Sequence, residues 1–233
     1  MVHLGIIPDG NRRWCKKDNI TYNFLIEHWL NNMIINNIKY FINFKENYRE
    51  LTEITNLSLY VSSIDNIYRN DKTHELGFDL IRKLYKLYKS TEEYAKTFNE
   101  YEDSELKKVC KDIKLNMIGD INLLPQDIQD IINETKNIFM GSKYSINIAI
   151  AYDYNKDILS ASQENCDINY IRTQSNIDLV FRPGGEKRLS GFFPTKTIYS
   201  EFYFIDKLFP DINLDDICIA LQDYKNRNRR YGK

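Results

Sequence analysis

Short runs of aliphatic and β-branched residues alternate along this chain with longer stretches of helical periodicity, and no other feature constrains the fold as strongly. The runs span four or five residues, the length of a strand rather than of a helix. The predicted strands cover residues 4–8, 57–61, 115–118, 146–150, 177–181 and 202–205. The predicted helices cover residues 23–46, 76–94, 126–139, 154–163 and 213–226. This alternation predicts an α/β fold with a mainly parallel, six-stranded sheet covered by helices.

Length and composition indicate one soluble domain over residues 1–233. The sequence shows neither an internal repeat nor a linker rich in proline, glycine and serine. Lysine and arginine number 32 against 33 aspartate and glutamate, so bulk charge does not favour a nucleic-acid partner. No window approaches 18 consecutive apolar residues, and residues 1–9 lack the basic flank and long apolar segment of a signal peptide. We therefore expect a cytoplasmic protein.

Several common catalytic and metal-binding patterns are missing from the sequence. It has no P-loop and no dinucleotide-binding glycine fingerprint. The three histidines are not spaced for an evident catalytic triad. The four cysteines lie far apart without a C-x-x-C pair, so neither a disulfide framework nor a zinc site is expected. Asp215 and Asp216 are expected to cap a helix.

Glycine, arginine and carboxylate residues follow the predicted strands where each strand ends. In an open parallel sheet, ligands bind beyond the carboxyl ends of the strands, so these residues are expected to converge on one crevice. The set comprises Asp9, Gly10, Asn11, Arg12, Arg13 and Trp14 after the first strand, Ser63, Asn66 and Arg69 after the second, Gly119 and Asp120 after the third, residues 151–153 after the fourth, and residues 182–190 after the fifth.

This mixture of residues suits a phosphorylated ligand. Guanidinium groups bind phosphate oxygens in bidentate fashion, and a glycine-rich turn that enters a helix presents backbone amides to an anion. Carboxylates repel phosphates unless a divalent cation lies between them, so Asp9 is expected to ligate Mg²⁺ or to hydrogen-bond a neighbour. Each segment alone also has a simpler interpretation: residues 9–11 as a turn and residues 184–186 as a surface loop.

Taken together, these segments resemble the sequence blocks of the cis-prenyltransferase family, which includes the undecaprenyl diphosphate synthases. The blocks are residues 6–14 (IIPDGNRRW), 59–69 (LYVSSIDNIYR), 117–120 (MIGD), 147–152 (NIAIAY), 178–190 (DLVFRPGGEKRLS), 199–204 (YSEFYF) and 226–232 (NRNRRYG). One block would be a weak signal, but this many in order run through nearly the whole chain. The resemblance implies a single catalytic domain over residues 1–233 with a hydrophobic tunnel.

The resemblance also implies a prenyl transferase that condenses isopentenyl diphosphate with an allylic prenyl diphosphate, forms a cis double bond and releases pyrophosphate. Asp9 would assist departure of the allylic diphosphate and hold Mg²⁺ together with Glu201. Asn66, with Ser63, would relay the proton that the isopentenyl group loses. The residues implied to bind the allylic diphosphate are Gly10, Asn11, Arg12, Arg13, Trp14 and Arg69, and those for isopentenyl diphosphate are Arg182, Arg188 and Ser190.

Two further segments have more than one interpretation. The apolar stripe within residues 76–94 is either ordinary core or, as the resemblance implies, the lining of a tunnel for the growing chain. The arginines at 227, 229 and 230 either form a solvated face, complement the C-terminal end of a helix or, as the resemblance implies, contribute to the homodimer of the family. The resemblance is also compatible with peripheral membrane association for product release.

The sequence is compatible with several product lengths and several activities. Each isoprene unit adds five carbons and contributes roughly 4 kcal/mol of burial, so tunnel depth controls release. Val61 occupies a position where long-chain relatives commonly have a smaller residue, which predicts a short to medium product. The sequence after Trp14 departs from the family's pattern, which leaves room for an enzyme that makes an irregular or cyclised isoprenoid. The sequence is also compatible with a non-catalytic scaffold subunit and with an unrelated phosphate-binding module.

Overall fold

The sheet contains six strands, all parallel, in a computed structural model that describes residues 1–17, 19–28, 53–69, 74–97, 111–163 and 175–230. All six predicted strands are confirmed, with ends shifted by up to three residues. Their bounds are β1 Val2–Ile6, β2 Ile54–Tyr60, β3 Ile113–Ile118, β4 Tyr144–Ala149, β5 Leu179–Pro183 and β6 Glu201–Ile205. Their order across the sheet is β3-β4-β2-β1-β5-β6.

The predicted helices are confirmed wherever the structure describes them. The bounds are α1 Asn11–Lys17, α2 Tyr22–His28, α3 Ile64–Ile67, α4 Glu75–Thr97, α5 Gln126–Ile138, α6 Tyr154–Gln163 and α7 Leu214–Asn226. Two of these, α1 and α3, were not predicted, because they are too short to produce a periodic pattern in the sequence. Of the helix predicted at 23–46, residues 29–46 lie outside the described residues. None of the helices in the described ranges combines the length and hydrophobicity that a membrane span requires.

Helix α7 begins with a reciprocal cap, which explains one of the two acidic residues near its start. The Asn213 side chain accepts a hydrogen bond from the Asp216 amide, and the Asp216 carboxylate accepts one from the Asn213 amide. This arrangement satisfies two backbone donors that the first turn would otherwise leave unpaired. Asp216 therefore caps the helix as predicted, with Asn213 as its partner.

One face of the sheet carries two apolar rows that cross five strands. The strand register aligns the first row as Leu115, Ile146, Leu57, Leu4 and Leu179, and the second as Met117, Ile148, Leu59, Ile6 and Phe181. The members on β1 and β5 are buried and form one core cluster with α7. The members on β2, β3 and β4 are only half-buried. The apolar face is therefore tightly covered on one half of the sheet and less tightly on the other.

The opposite face carries a buried polar row. The Asn147 amide donates to Ser58 Oγ at 3.1 Å, and Ser58 Oγ lies 2.8 Å from Nε2 of His3. Nδ1 of His3 lies 3.1 Å from the carbonyl oxygen of Asn176. His3 is only 2% exposed, and burial lowers its pKa to about 4 although the neighbouring carbonyl and the charge of Asp178 act in the opposite direction. The fold thus holds a neutral histidine in its core.

The buried His3 predicts a pH-dependent stability. Between about pH 6.5 and pH 4 the unfolded chain protonates this histidine while the folded chain does not, so acid favours unfolding. The loss attributable to His3 should reach about 3 kcal/mol near pH 4. Urea unfolding at several pH values should show this loss in the native sequence and not in His3→Gln. An equal pH dependence in the two proteins would contradict the assignment.

Candidate active site

The strand order reverses at β1, and this places a crevice at the carboxyl ends of β1 and β5. The chain continues from β1 to β2 on one side, whereas β5 pairs with β1 on the other side and is followed by β6. Open α/β sheets bind ligands at such a switch point. Asp9 lies three residues beyond the end of β1, and Arg182 is the penultimate residue of β5. The sequence-predicted residues therefore meet where the topology favours a site.

A buried guanidinium group joins the two strand ends. The side chain of Arg182 is 4% exposed, and its Nη2 donates to Asp9 Oδ2 at 2.8 Å. Its Nη1 donates to Ser190 Oγ at 3.0 Å and also to the carbonyl oxygen of Arg188. One side chain thus fixes the carboxylate after β1 and the loop after β5 relative to each other.

Asp9 stays ionised in this setting. Burial raises the pKa of Asp9, but the hydrogen bond and positive charge of Arg182 outweigh it, so the pKa lies below its ordinary value. The Gly10 amide donates to Asp9 Oδ1 at 2.6 Å, and Arg13 Nη2 lies 3.4 Å from the same oxygen. The carboxylate is 29% exposed, so it faces both the guanidinium groups and the opening of the crevice.

The second strand end is connected to the same cluster through Tyr60, a tyrosine that the sequence motifs did not single out. Tyr60, the last residue of β2, donates its hydroxyl to the Ser190 carbonyl oxygen at 3.0 Å. Burial raises the pKa of Tyr60 to about 12, with the nearby Ser63 side chain acting in the opposite direction. Its position one residue before the end of the predicted strand 57–61 was the available signal.

Ser63 and Asn66 form the capping box of α3. The Ser63 amide and hydroxyl donate to Asn66 Oδ1 at 2.9 and 3.0 Å, and the Asn66 amide donates to Ser63 Oγ at 3.2 Å. The pair therefore fixes its own geometry before any ligand binds. Arg69 follows α3 and is exposed.

Residues 10–14 divide between the crevice and the core. Arg12 and Arg13 are exposed, whereas Trp14 is buried and donates its indole N–H to Asp211 Oδ1 at 2.7 Å. Asn11 donates its side-chain amide to the Pro8 carbonyl at 2.9 Å. Helical periodicity explains the division, because consecutive residues of α1 point to different sides. The predicted substrate contact of Trp14 stays a prediction, and the structure gives this residue a packing role.

The glycines after β5 do not present free amides to the crevice, contrary to the expectation for a phosphate-binding turn. The Gly184 amide donates to the Lys207 carbonyl at 2.9 Å, and the Gly185 amide donates to that of Ile205 at 3.0 Å. Gly184 has a φ of +91°, and a Cβ there would lie 2.8 Å from Arg13 Nη2. This glycine therefore allows close approach of the Arg13 side chain.

The ends of β3 and β4 line a separate cavity of about 380 Å³ beside this cluster. The Lys156 ammonium group pairs with Asp120 across it at 2.7 Å. The buried ring of Tyr152 forms part of its wall and packs edge-on against Tyr60, with ring centroids 6.2 Å apart. Gly119, Asp120 and residues 151–153 therefore line one cavity, and Tyr152 joins it to Tyr60 of the Asp9 cluster.

The comparisons with known proteins agree with this geometry. Residues 7–232 match the family model described as putative undecaprenyl diphosphate synthase. The isoprenyl transferase of Treponema denticola is 32% identical over 250 residues, covering 100% of this chain and 97% of that protein. The chain belongs to the cis-prenyltransferase family. The resemblance noted in the sequence is thereby confirmed.

Other members of the cis-prenyltransferase family are similar over their full length. The tritrans,polycis-undecaprenyl-diphosphate synthase (geranylgeranyl-diphosphate specific) of Pyrobaculum aerophilum is 26% identical, covering 100% of this chain and 96% of its own. Among solved structures, lavandulyl diphosphate synthase from Lavandula x intermedia in complex with dimethylallyl diphosphate has a TM-score of 0.74 at 26% identity, covering 99% and 98% of the two chains. A probable undecaprenyl diphosphate synthase from Campylobacter jejuni, with a TM-score of 0.67 at 23% identity, shares the fold.

Glu201 does not join the Asp9 cluster within one copy of this cis-prenyltransferase-family chain. It is the first residue of β6 and pairs with Leu179, the first residue of β5, so it lies at the amino edge of the sheet. Five residues of parallel strand, about 13 Å, separate it from the carboxyl edge. There it accepts a hydrogen bond from Arg227 at 2.9 Å. The expectation that Asp9 and Glu201 meet in one pocket is therefore wrong for a single copy.

The C-terminal arginines help to hold this amino edge together. Arg227 pairs with Asp223 as well as with Glu201, and Arg229 Nη1 lies 3.1 Å from Asp178 Oδ1. The guanidinium group of Arg229 also packs over the ring of Tyr224 at 5.2 Å. These two arginines are therefore neither a solvated face nor simple complements to a helix end.

The Asp9–Arg182 pair predicts a stability cost that a surface pair does not have. Asp9→Ala leaves a buried guanidinium group without its carboxylate, which should lower the free energy of unfolding by about 1–3 kcal/mol. Asp127→Ala, which removes an exposed partner of Arg82, is the matched control and should have little effect. Urea unfolding would measure both. Equal stability of the two variants would contradict the structural role of Asp9.

Proposed function

We propose that this chain is a Mg²⁺-dependent cis-prenyltransferase that condenses isopentenyl diphosphate with an allylic prenyl diphosphate and gives a cis-polyprenyl diphosphate of short to medium length. The observation that carries the proposal is a hydrogen-bond network at the switch point, which runs from Asp9 through Arg182 and Ser190 to Tyr60 at the end of β2. The Ser63–Asn66 cap begins three residues further along the same segment. The family membership supports the same reaction class.

The arginines supply the positive charge that two diphosphate groups require. Arg12, Arg13 and Arg69 are exposed on the β1 and α3 side of the crevice, where they would bind the allylic diphosphate. Arg188 is exposed on the β5 side and would bind isopentenyl diphosphate with Ser190. Breaking the allylic carbon–oxygen bond builds negative charge on the leaving diphosphate, and fixed guanidinium groups stabilise that charge where it develops.

Proton removal is assigned to the Ser63–Asn66 pair. Condensation leaves a cation on the former isopentenyl group, which loses a proton to form the new double bond. The capping box holds the Asn66 carboxamide in a fixed orientation next to the Ser63 hydroxyl. Pre-organised groups lower the entropic cost of such a transfer, because no side chain must reorient at the moment of reaction.

The donor set around Asp9 fits a magnesium ion only in combination with substrate oxygens. The described residues contain no group of three or more histidine, cysteine, aspartate or glutamate side chains able to hold a metal. Mg²⁺ is commonly bound through one or two carboxylates plus substrate phosphates, and Asp9 supplies one ionised, partly exposed carboxylate. When bound, the ion would neutralise charge on the diphosphate. Glu201 of the same copy lies too far away to take part.

The half-covered side of the apolar sheet face supports a tunnel for the growing chain. The two apolar rows cross β2, β4 and β3, and their members on these three strands are half-buried. On α4, Leu76 and Phe78 are buried core, whereas Leu80 and Leu84 are only partly covered. The first turns of α4 therefore match the ordinary-core interpretation, and the rest of the stripe is available to line an apolar groove.

Val61 narrows the space between β2 and α4. A Cβ placed on Gly77 would lie 2.9 Å from Val61 Cγ1, so the valine packs directly against the helix backbone. This contact favours a shallow groove and a short to medium product. The homodimer, the peripheral membrane association and the cytoplasmic location stay predictions.

A primer assay tests the proposed reaction. Purified protein is incubated with labelled isopentenyl diphosphate and C10, C15 or C20 allylic diphosphates, with and without Mg²⁺. We expect primer-dependent chain growth that requires the metal, and a loss of turnover of about a hundredfold or more in Asp9→Ala. No growth and no pyrophosphate release with any primer would contradict the proposal, as would near wild-type turnover in Asp9→Ala.

The same assay separates a second candidate function. The similarity to lavandulyl diphosphate synthase favours an enzyme of the same fold that makes an irregular isoprenoid. Pyrophosphate release without stepwise chain growth would identify that activity. A scaffold subunit would show neither product and would instead restore the activity of a partner.

Val61→Ala should lengthen the product. Removing the methyl groups that contact α4 deepens the groove, and each additional isoprene unit that fits gains roughly 4 kcal/mol of burial. Val2→Ala shortens a buried valine at the far end of β1 and is the matched control. Thin-layer chromatography of the products measures chain length. Wild-type chains of ten or more units, or an unchanged distribution in Val61→Ala, would contradict the role of Val61.

A further inference from the structure

Tyr60 connects two segments that the proposed function assigns to the same substrate. The first, here called the relay arm, is residues 63–69, and the second, the anchor loop, is residues 182–190. The Tyr60 hydroxyl donates to the Ser190 carbonyl oxygen at 3.0 Å, and Tyr60 ends β2 three residues before Ser63, the N-cap of α3. The relay arm would take the proton from isopentenyl diphosphate, and the anchor loop would bind its diphosphate group. Tyr60 therefore links the two segments that would bind opposite ends of one substrate.

The position of the Tyr60 hydroxyl is fixed by packing of its ring. The ring lies 5.4 Å from Phe192 and 6.2 Å from Tyr152, measured between ring centroids. Phe192 and Tyr152 are themselves almost completely buried. A phenol held between two buried aromatic rings has little freedom to move its hydroxyl group. Its hydrogen bond to Ser190 therefore holds the anchor loop at a fixed distance from the end of β2.

Ser190 needs external support for its backbone conformation. Its φ is +52°, in the left-handed region that is unfavourable for a non-glycine residue and persists where surrounding contacts determine it. Two such contacts exist here: Arg182 Nη1 donates to the Ser190 hydroxyl at 3.0 Å, and Tyr60 donates to its carbonyl. Arg182 acts from β5 and Tyr60 from β2, so the anchor loop is held from both sides of β1.

We propose that Tyr60 is a positioning residue that sets the separation between the relay arm and the anchor loop, and thereby the placement of isopentenyl diphosphate. The proposal rests on the proposed function and deepens it. Tyr60 acts through its hydrogen bond to Ser190 and through the short backbone segment that joins it to Ser63, and it needs no contact with either substrate. Its effect should therefore concern isopentenyl diphosphate far more than the allylic primer.

Tyr60→Phe tests this role because it retains the ring and removes only the hydroxyl. Loss of the hydrogen bond to Ser190 should weaken binding of isopentenyl diphosphate about fivefold to tenfold. The KM for this substrate should rise by a similar factor, whereas the KM for the allylic diphosphate should change less than about twofold. Calorimetric titration of isopentenyl diphosphate in the presence of Mg²⁺ measures the binding, and steady-state kinetics with each substrate varied in turn measures the split.

Tyr203→Phe is the matched control. Tyr203 is a half-buried tyrosine on β6 whose ring stacks on Phe181, with centroids 6.0 Å apart, on the opposite face of the sheet. Because it lies on that face, its hydroxyl is remote from the network around Ser190, so both KM values should stay at wild-type levels. Melting temperatures of the two variants identify any general loss of stability.

The outcomes separate the role of Tyr60 from the proposed reaction. Wild-type affinity for isopentenyl diphosphate in Tyr60→Phe, or equal increases of both KM values, would overturn the role of Tyr60 while leaving the proposed reaction intact. A wild-type protein that binds isopentenyl diphosphate without turning it over would overturn the proposed reaction, and the titration would still test Tyr60. Absence of binding to the wild-type protein would overturn both.

Discussion

The site depends on a guanidinium group that is almost completely withdrawn from water. Burying a charge is costly unless it is paired and hydrogen-bonded, and Arg182 meets this condition with Asp9 on one side and Ser190 on the other. The same contacts bring together loops that are 173 residues apart in sequence. Charge compensation and site assembly are therefore one event, and the ionised state of Asp9 follows from it.

Charged and apolar residues occupy different parts of the sheet. The charged residues lie at its two edges, and the apolar rows lie on one of its faces. The carboxyl edge carries the charged cluster, and the amino edge carries the ion pairs of Arg227 and Arg229. One face carries the apolar rows, while the other holds the polar row around His3. This separation suits the proposed reaction, in which a diphosphate is held at the charged edge while a hydrocarbon chain extends over the apolar face.

The sequence was sufficient for the strands, most helices and the family, because period-two and period-3.6 patterns and ordered motifs are properties of the chain itself. It was less informative about which motif residues share a location. Trp14 directly follows Arg12 and Arg13, whose side chains are exposed, yet its own side chain packs in the core. Glu201 directly precedes a predicted parallel strand, and that order already places it at the amino edge, so this error was avoidable.

Contacts made by single atoms were beyond the sequence. The donation of the Gly184 and Gly185 amides to backbone carbonyls depends on how β6 and the segment after it lie beside the loop. The link through the Tyr60 hydroxyl depends on the left-handed backbone of Ser190, a serine for which no composition rule predicts that conformation. Both features engage backbone groups of the loop in hydrogen bonds within the protein, so its side chains rather than its backbone amides would contact a ligand.

The capping box of α3 has a consequence for how kinetic data on this protein must be interpreted. Ser63 and Asn66 each complete the hydrogen bonding of the other, so truncating either one also frees its neighbour and frays a single-turn helix. In the proposed proton transfer, rate losses from the two single replacements should therefore overlap rather than multiply, since residues in one hydrogen-bonded unit are not energetically independent. A double replacement compared with both singles would measure this coupling.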